Sequence, residues 1–178
     1  MMNDAFDLRL METHIEVHKF RSGAIVGATF LALILQAFVP VYFQKFAVLD
    51  LPLLVTIYFG LSRRNPSTGL LLGMVIGLLQ DSLSGPTVPL GLYGIAKTII
   101  GYLASSIGSR LDTEHPLARF ALVAVFYVVH QSILTVVRRL LLNQPEGWFN
   151  MHLAIASLVN AILGVILFTF LDRLRRSS

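Results

Sequence analysis

From Gly23 to Phe43 the chain carries no charged side chain, and the same holds from Met151 to Leu171. A helix that crosses the hydrocarbon core of a bilayer needs roughly 20 such residues, with about 17–25 as the usual range. Four further runs approach this length: Ala47–Leu61, Gly69–Leu83, Leu90–Ile107 and Leu117–Leu142. The runs at 47–61 and 69–83 are the short ones. They read as tilted, thinly spanning helices or as a re-entrant segment. The sequence Ser62-Arg63-Arg64-Asn65-Pro66-Ser67 parts them, and Ser82–Pro89, with Gly85, Pro86 and Pro89, parts the third run from the fourth.

A soluble domain of 178 residues with 55% hydrophobic and only 13% charged residues has more apolar surface than a core of that size can bury. The expected solvent is therefore a bilayer. The first run is too long for the core of a signal peptide and is expected to stay as a helix. Cysteine is absent, which removes disulfide and thiol chemistry. A net charge of +4 could point to nucleic acid, but the cations lie in short loops between apolar runs, as orientation signals do. Arg9, Lys19, Arg21, Arg63, Arg64, Arg110, Arg119, Arg173, Arg175 and Arg176 make ten on one side, against three, Lys45, Arg138 and Arg139, on the other. This bias predicts six spans with both termini in the cytoplasm. The expected organisation is a cytoplasmic tail over 1–22, a membrane domain over 23–172 and a basic cytoplasmic tail over 173–178.

Two helices carry small residues at four-residue spacing. In the first run these are Ala24, Ala28 and Ala32, with Gly23 and Gly27 beside them; in the third they are Gly69, Gly73 and Gly77. In lipid, close approach of backbones drives association, so both stripes are candidate helix-packing or partner interfaces. Ionisable groups at membrane depth are costly and call for partners. Asp81, Lys97, Arg138 and Arg139 are expected at one interface, with Asp81 paired to Arg138 or Arg139 and Lys97 reaching toward them. His130 reads as a packed hydrogen-bonding group. His14 and His18 have helical spacing but lack the third ligand that zinc needs. The tail from Asp4 to Lys19 suits an interfacial helix or a disordered arm, and Trp148 and Phe149 suit the aromatic belt. No phosphate-binding loop, nucleophile elbow or dinucleotide fingerprint is present. The reading is of a chain without a catalytic centre, cofactor or metal.

The stretch from Asp50 to Tyr102 is more specific. It reads Asp50-Leu-Pro52, then Arg64-x-Pro66-x-x-Gly69-x-x-x-Gly73-x-x-x-Gly77-Leu-Leu-Gln80-Asp81, then Ser84-Gly85, Pro89-Leu90-Gly91-Leu92 and Gly101-Tyr102-Leu103. In this ordered series, marked by Pro52, Arg64, Pro66, Pro89, Gly91 and Tyr102, the chain resembles the rod shape-determining protein MreD family. The segment Gly85–Pro89 is slightly longer than the corresponding family loop.

The resemblance implies a non-enzymatic multi-pass subunit of the bacterial inner membrane. Its implied partners are a bitopic MreC-type protein, the peptidoglycan polymerase and transpeptidase of elongation, MreB filaments and membrane lipids. It also implies an all-α six-helix bundle similar to the substrate-binding subunits of energy-coupling-factor vitamin transporters, which makes vitamin uptake the alternative function. A membrane-embedded enzyme is a third class. The short segment Gln44–Asp50, and the lack of aromatic groups in Ser82–Pro89, favour the scaffold over a vitamin-binding pocket.

Overall fold

Six α-helices form among the residues described by the computed structural model, which are 22–43, 47–63, 65–85, 88–110, 115–143, 147 and 150–173. They are α1 (Ser22–Tyr42), α2 (Leu51–Arg63), α3 (Pro66–Leu83), α4 (Leu92–Gly108), α5 (Pro116–Leu142) and α6 (Met151–Asp172). The readings made for His14, His18, the Asp4–Lys19 tail, Lys45, Arg64, Trp148, Phe149, Arg175 and Arg176 lie outside the described residues.

Local chemistry sets most of the boundaries. Asn65 accepts from the Ser67 and Thr68 amides ahead of Pro66, the first residue of α3. Proline is tolerated there because the first amides of a helix have no intrahelical partner. His115 and Asn150 cap α5 and α6 in the same way. Helix α5 ends at Asn143, whose φ of 51° is left-handed.

Three helices, over Gly23–Tyr42, Pro116–Leu142 and Met151–Asp172, are long and apolar enough to cross a membrane. Two of them show a broad apolar flank, with Phe30, Leu31, Ile34 and Phe38 on α1 and Ile155, Leu158, Ile162 and Ile166 on α6 all exposed. Surface of that extent belongs against lipid rather than water. Helix α2 differs from the span expected over 47–61. It begins four residues later, and its 13 residues rise only about 20 Å, short of the roughly 30 Å hydrocarbon core. Every residue from Pro52 to Leu61 is buried. A helix apolar on all sides belongs inside a bundle, and α2 is the axis around which the others pack.

Helices α3 and α4 run antiparallel in the closest contact of the fold. A Cβ built on Gly69 would strike Ser105, one on Gly73 would lie 2.7 Å from the Lys97 carbonyl carbon, and one on Gly77 would lie 2.7 Å from the Gly94 Cα. The glycine stripe thus faces inward, backbone against backbone. On α1, Ala28 and Ala32 also pack on the core, Ala24 is half-buried, and Gly23 and Gly27 have nothing within 4 Å of an added Cβ. The starts of α1, α3 and α5 share one end of the bundle with the ends of α2, α4 and α6. There Arg119 pairs with Asp172, which also accepts from the Tyr58 hydroxyl at 2.9 Å.

Candidate functional site

The opposite end, where α2 and α4 begin and α3 and α5 finish, holds the polar chemistry. It starts with the short connection 47–50, exposed at Ala47, half-buried at Val48 and Leu49 and buried at Asp50. Backbone that makes no regular helix must find partners elsewhere; here side chains from three helices supply them, and a fourth helix holds the Asp50 carboxylate. Gln36 of α1 donates to the Leu49 carbonyl at 2.9 Å and accepts from the Leu51 amide at 3.0 Å. Asn160 of α6 accepts from the Asp50 amide at 3.0 Å and donates to the Val48 carbonyl at 2.9 Å. Tyr127 of α5 donates to the same carbonyl at 3.4 Å. Lys97 of α4 donates to both Asp50 carboxylate oxygens, at 3.1 and 2.9 Å.

Asp50 is the centre of this arrangement. Its Oδ1 also accepts from the Leu53 amide at 2.9 Å, which makes Asp50 the cap of α2 and explains why that helix starts at Leu51. His130, in the middle of α5, lies 3.4 Å through Nε2 from the Lys97 ammonium, with Nδ1 3.9 Å from Asp50. An ammonium has no lone pair to offer, so Nε2 is the acceptor in that contact, while Nδ1 has no hydrogen-bond partner among the described residues. The Tyr93 ring stacks on His130 at an interplanar angle of 11°, and Lys97 sits 5.2 Å from its centroid. Lys97, His130 and Asn160 are fully buried.

The expected cluster of Asp81, Lys97, Arg138 and Arg139 is therefore divided. Lys97 pairs with Asp50, not with the acid at the end of α3. Asp81 pairs with neither Arg138 nor Arg139. Its two oxygens accept from the amides of Gly91, Tyr93 and Gly94, at 2.9, 2.9 and 3.0 Å. These are the first free amides of α4, and Gly91 stands at the cap position with φ +100° and no side chain to satisfy them. Asp81 caps α4 from a neighbouring helix, adding a carboxylate at the positive end of the helix dipole. Arg138 lies with Tyr93 in the wall of one cavity.

This accounts for part of the motif series. The acid of Gly77-Leu-Leu-Gln80-Asp81 and the glycine of Pro89-Leu90-Gly91 are two halves of one cap. Pro52 sits buried in the first turn of α2, where a missing amide costs nothing, and Tyr102 is exposed on α4. The residues that carry the buried network, Asp50, Gln36, His130, Tyr127 and Asn160, are not grouped by sequence spacing. Asp50 lies 47 positions from Lys97 and its amide 110 from Asn160. The available signal is Asp50 immediately before Leu-Pro, the pattern of a helix cap with proline in the first turn.

Because Asp81 is bound by amides, the charge swap Asp81→Arg with Arg138→Asp should restore nothing. Asp81→Asn, which keeps an acceptor oxygen, should keep more folded protein than Asp81→Ala, whose loss is that of a helix cap, about 1–2 kcal/mol. Thermal stability in detergent reads this directly. Recovery in the swap would reinstate the ion pair.

Between these groups and the far end lies a polar cavity of about 330 Å³, walled by Gln36, Asp50, Gln80, Tyr93, Gln131 and Arg138 among others. Among the described residues that line it, no hydroxyl is hydrogen-bonded to a histidine or a carboxylate. Asp50 is tied to an ammonium and an amide, and among the described residues no three His, Cys, Asp or Glu groups converge to hold a metal.

A family model described as rod shape-determining protein MreD matches residues 19–175. No curated protein and no solved structure matches the chain.

Proposed function

The chain belongs to the MreD family of rod shape-determining proteins, and from that premise we propose that it is a non-enzymatic membrane scaffold of the cell-elongation machinery. In this reading it binds an MreC-type partner with one membrane helix and supports lateral peptidoglycan synthesis together with the elongation polymerase, the transpeptidase and MreB. The observation that carries the reading is where the polar groups go. Asp50 and Lys97 are taken up by each other and by the Leu53 amide, and Asp81 caps α4. A site assembled for turnover leaves reactive groups facing a substrate; these face the fold.

Helix α1 suits the partner. It packs chiefly on α2 and α3 and leaves Phe30, Leu31, Ile34 and Phe38 outward. The six helices are proposed to form one bundle of the energy-coupling-factor type, with both termini cytoplasmic and the polar end extracytoplasmic. The motive is the ten-to-three bias of basic residues. A reporter fused after Ser178 should then signal from the cytoplasm, and one inserted within 144–150 from outside; the reverse pattern would end this orientation.

Depletion in a rod-shaped host should round the cells, and the protein extracted from native membranes should co-elute with a one-helix MreC-type partner. The rival reading, a vitamin-binding subunit, draws on the polar cavity. It demands co-purification with a coupling protein and two ATPases, and an unchanged cell shape on depletion. That pair of results would displace the scaffold.

A further inference from the structure

The polar cavity does not end at its own walls. A second cavity of about 450 Å³ shares Gln36, Gln80 and Tyr93 with it and continues outward between α1 and α3. Its remaining lining is mostly apolar, with Leu33, Ala37, Val41, Leu83 and Val88 beside Ser84 and Gly85. Val41 and Leu83 are exposed. The molecule thus holds a polar chamber at its far end, joined to an apolar groove that opens sideways.

At the junction one group is unmatched. Gln80 is 6% exposed and lines both spaces, and its Oε1 has no hydrogen-bond partner among the described residues. A buried carbonyl left unsatisfied is costly, so it calls for a donor from whatever occupies the chamber. Arg138 and the Asp50 carboxylate both stand in the chamber wall, which therefore carries both signs of charge. The occupant therefore carries a hydrogen-bond donor, a headgroup with both signs of charge and an apolar tail.

We propose that the joined cavities form a lateral binding site for a single membrane phospholipid with a donor-bearing headgroup, the headgroup in the polar chamber and one acyl chain in the groove between α1 and α3. The headgroup phosphate lies toward Arg138 and its donor reaches Gln80 Oε1. A transmembrane helix of a partner is the poorer fit. One turn of helix about 10 Å wide and 5.4 Å long fills roughly 400 Å³, so the groove has room for little more than a single turn. An acyl chain is thin enough to follow it.

The test compares two lipids that differ only in donors. The full-length protein is reconstituted in vesicles holding equal amounts of phosphatidylethanolamine and phosphatidylcholine with identical acyl chains, then extracted, and the retained lipid is identified by native mass spectrometry. Phosphatidylethanolamine should be retained as a single molecule, with a preference of about tenfold, the value of one charge-assisted hydrogen bond. Gln80→Leu should bring the preference close to one while leaving the extracted yield intact, because it removes an unsatisfied buried polar group. Gln80→Glu, which keeps the acceptor, should preserve the preference. Ala37→Trp, which fills the groove, should lose both lipids. Equal retention of the two lipids by the parent protein, no retained lipid, or a preference unmoved in both Gln80→Leu and Ala37→Trp would each overturn the site. A polypeptide retained in place of lipid would give the groove to a partner segment instead. None of these outcomes bears on the scaffold reading, which is judged by cell shape and partner co-elution.

Discussion

Lys97→Met should remove most of the folded, extractable protein, and Asp50→Asn should do nearly as much, whereas the two together should recover a measurable part. The expectation rests on an asymmetry of buried charge. A buried pair contributes little net stability, because desolvation consumes most of the attraction, but deleting one partner strands the other and costs about 3–5 kcal/mol. Lys97 is fully buried and its ammonium touches both Asp50 oxygens. Without it the carboxylate keeps only the Leu53 amide among these contacts. Without the carboxylate's charge, the ammonium keeps a neutral amide oxygen, His130 Nε2 and the Tyr93 ring, none of them an anion. In the double variant no charge remains, and the amide side chain introduced by Asp50→Asn would still offer an oxygen to cap α2. Fluorescence-detected size exclusion in mild detergent gives the folded fraction of each. A double variant no better than the worse single one would mean that Asp50 and Lys97 act separately. His130→Phe should be milder than either, since it takes away a neutral acceptor and retains a ring to stack on Tyr93.

How much of this is legible in the sequence follows from the range of the interaction concerned. Helices α1, α3, α4, α5 and α6 are readable to within about three residues, because apolar runs and capping residues are local signals. The start of α2 differs from the apolar run by four residues for a reason that is also local. Asp50 and Pro52 outvote Ala47 and Val48, since a cap fixes where helical backbone begins while apolarity only permits it. The polar site is legible as an inventory and not as a set of pairs. Lys97 and Asp81 stand out as membrane-depth charges needing partners, but sequence spacing along one helix says nothing about which other helix lies beside it. Sequence reasoning gives Asp81 a cation because cations are the visible opposites. Its true partners are backbone amides of α4, which no composition reveals. The clue is Gly91, a residue at a helix start with no side chain to cap its own amides.

Gly73→Ala and Gly77→Ala should be among the most damaging single-methyl changes in the chain, and Gly27→Ala should be harmless or slightly stabilising. In an isolated helix all three replacements favour helix by about 0.5–1 kcal/mol, since alanine fixes less backbone freedom than glycine. Packing decides the sign. A methyl on Gly73 would lie 2.7 Å from the Lys97 carbonyl carbon, and one on Gly77 2.7 Å from the Gly94 Cα, and neither neighbour is a flexible side-chain tip that can swing away. Helices α3 and α4 would have to separate, and that movement acts on the polar end in two places. Lys97 would be drawn from Asp50, and the amides of Tyr93 and Gly94 from Asp81. The cost is then the lost contact plus weakened buried polar bonds, several kcal/mol against a gain below one. Gly27 has nothing within 4 Å of an added Cβ, so only the helix preference remains. Gly73→Leu should exceed Gly73→Ala, while Leu72→Ile, on a half-buried neighbour that keeps its volume, should be mild. Melting temperature and retention of the MreC-type partner should fall together for Gly73→Ala and Gly77→Ala and hold for Gly27→Ala. Parent-like melting of Gly73→Ala would mean that α3 and α4 have slack at their closest approach, and would loosen the link between the glycine stripe and the Asp50 site.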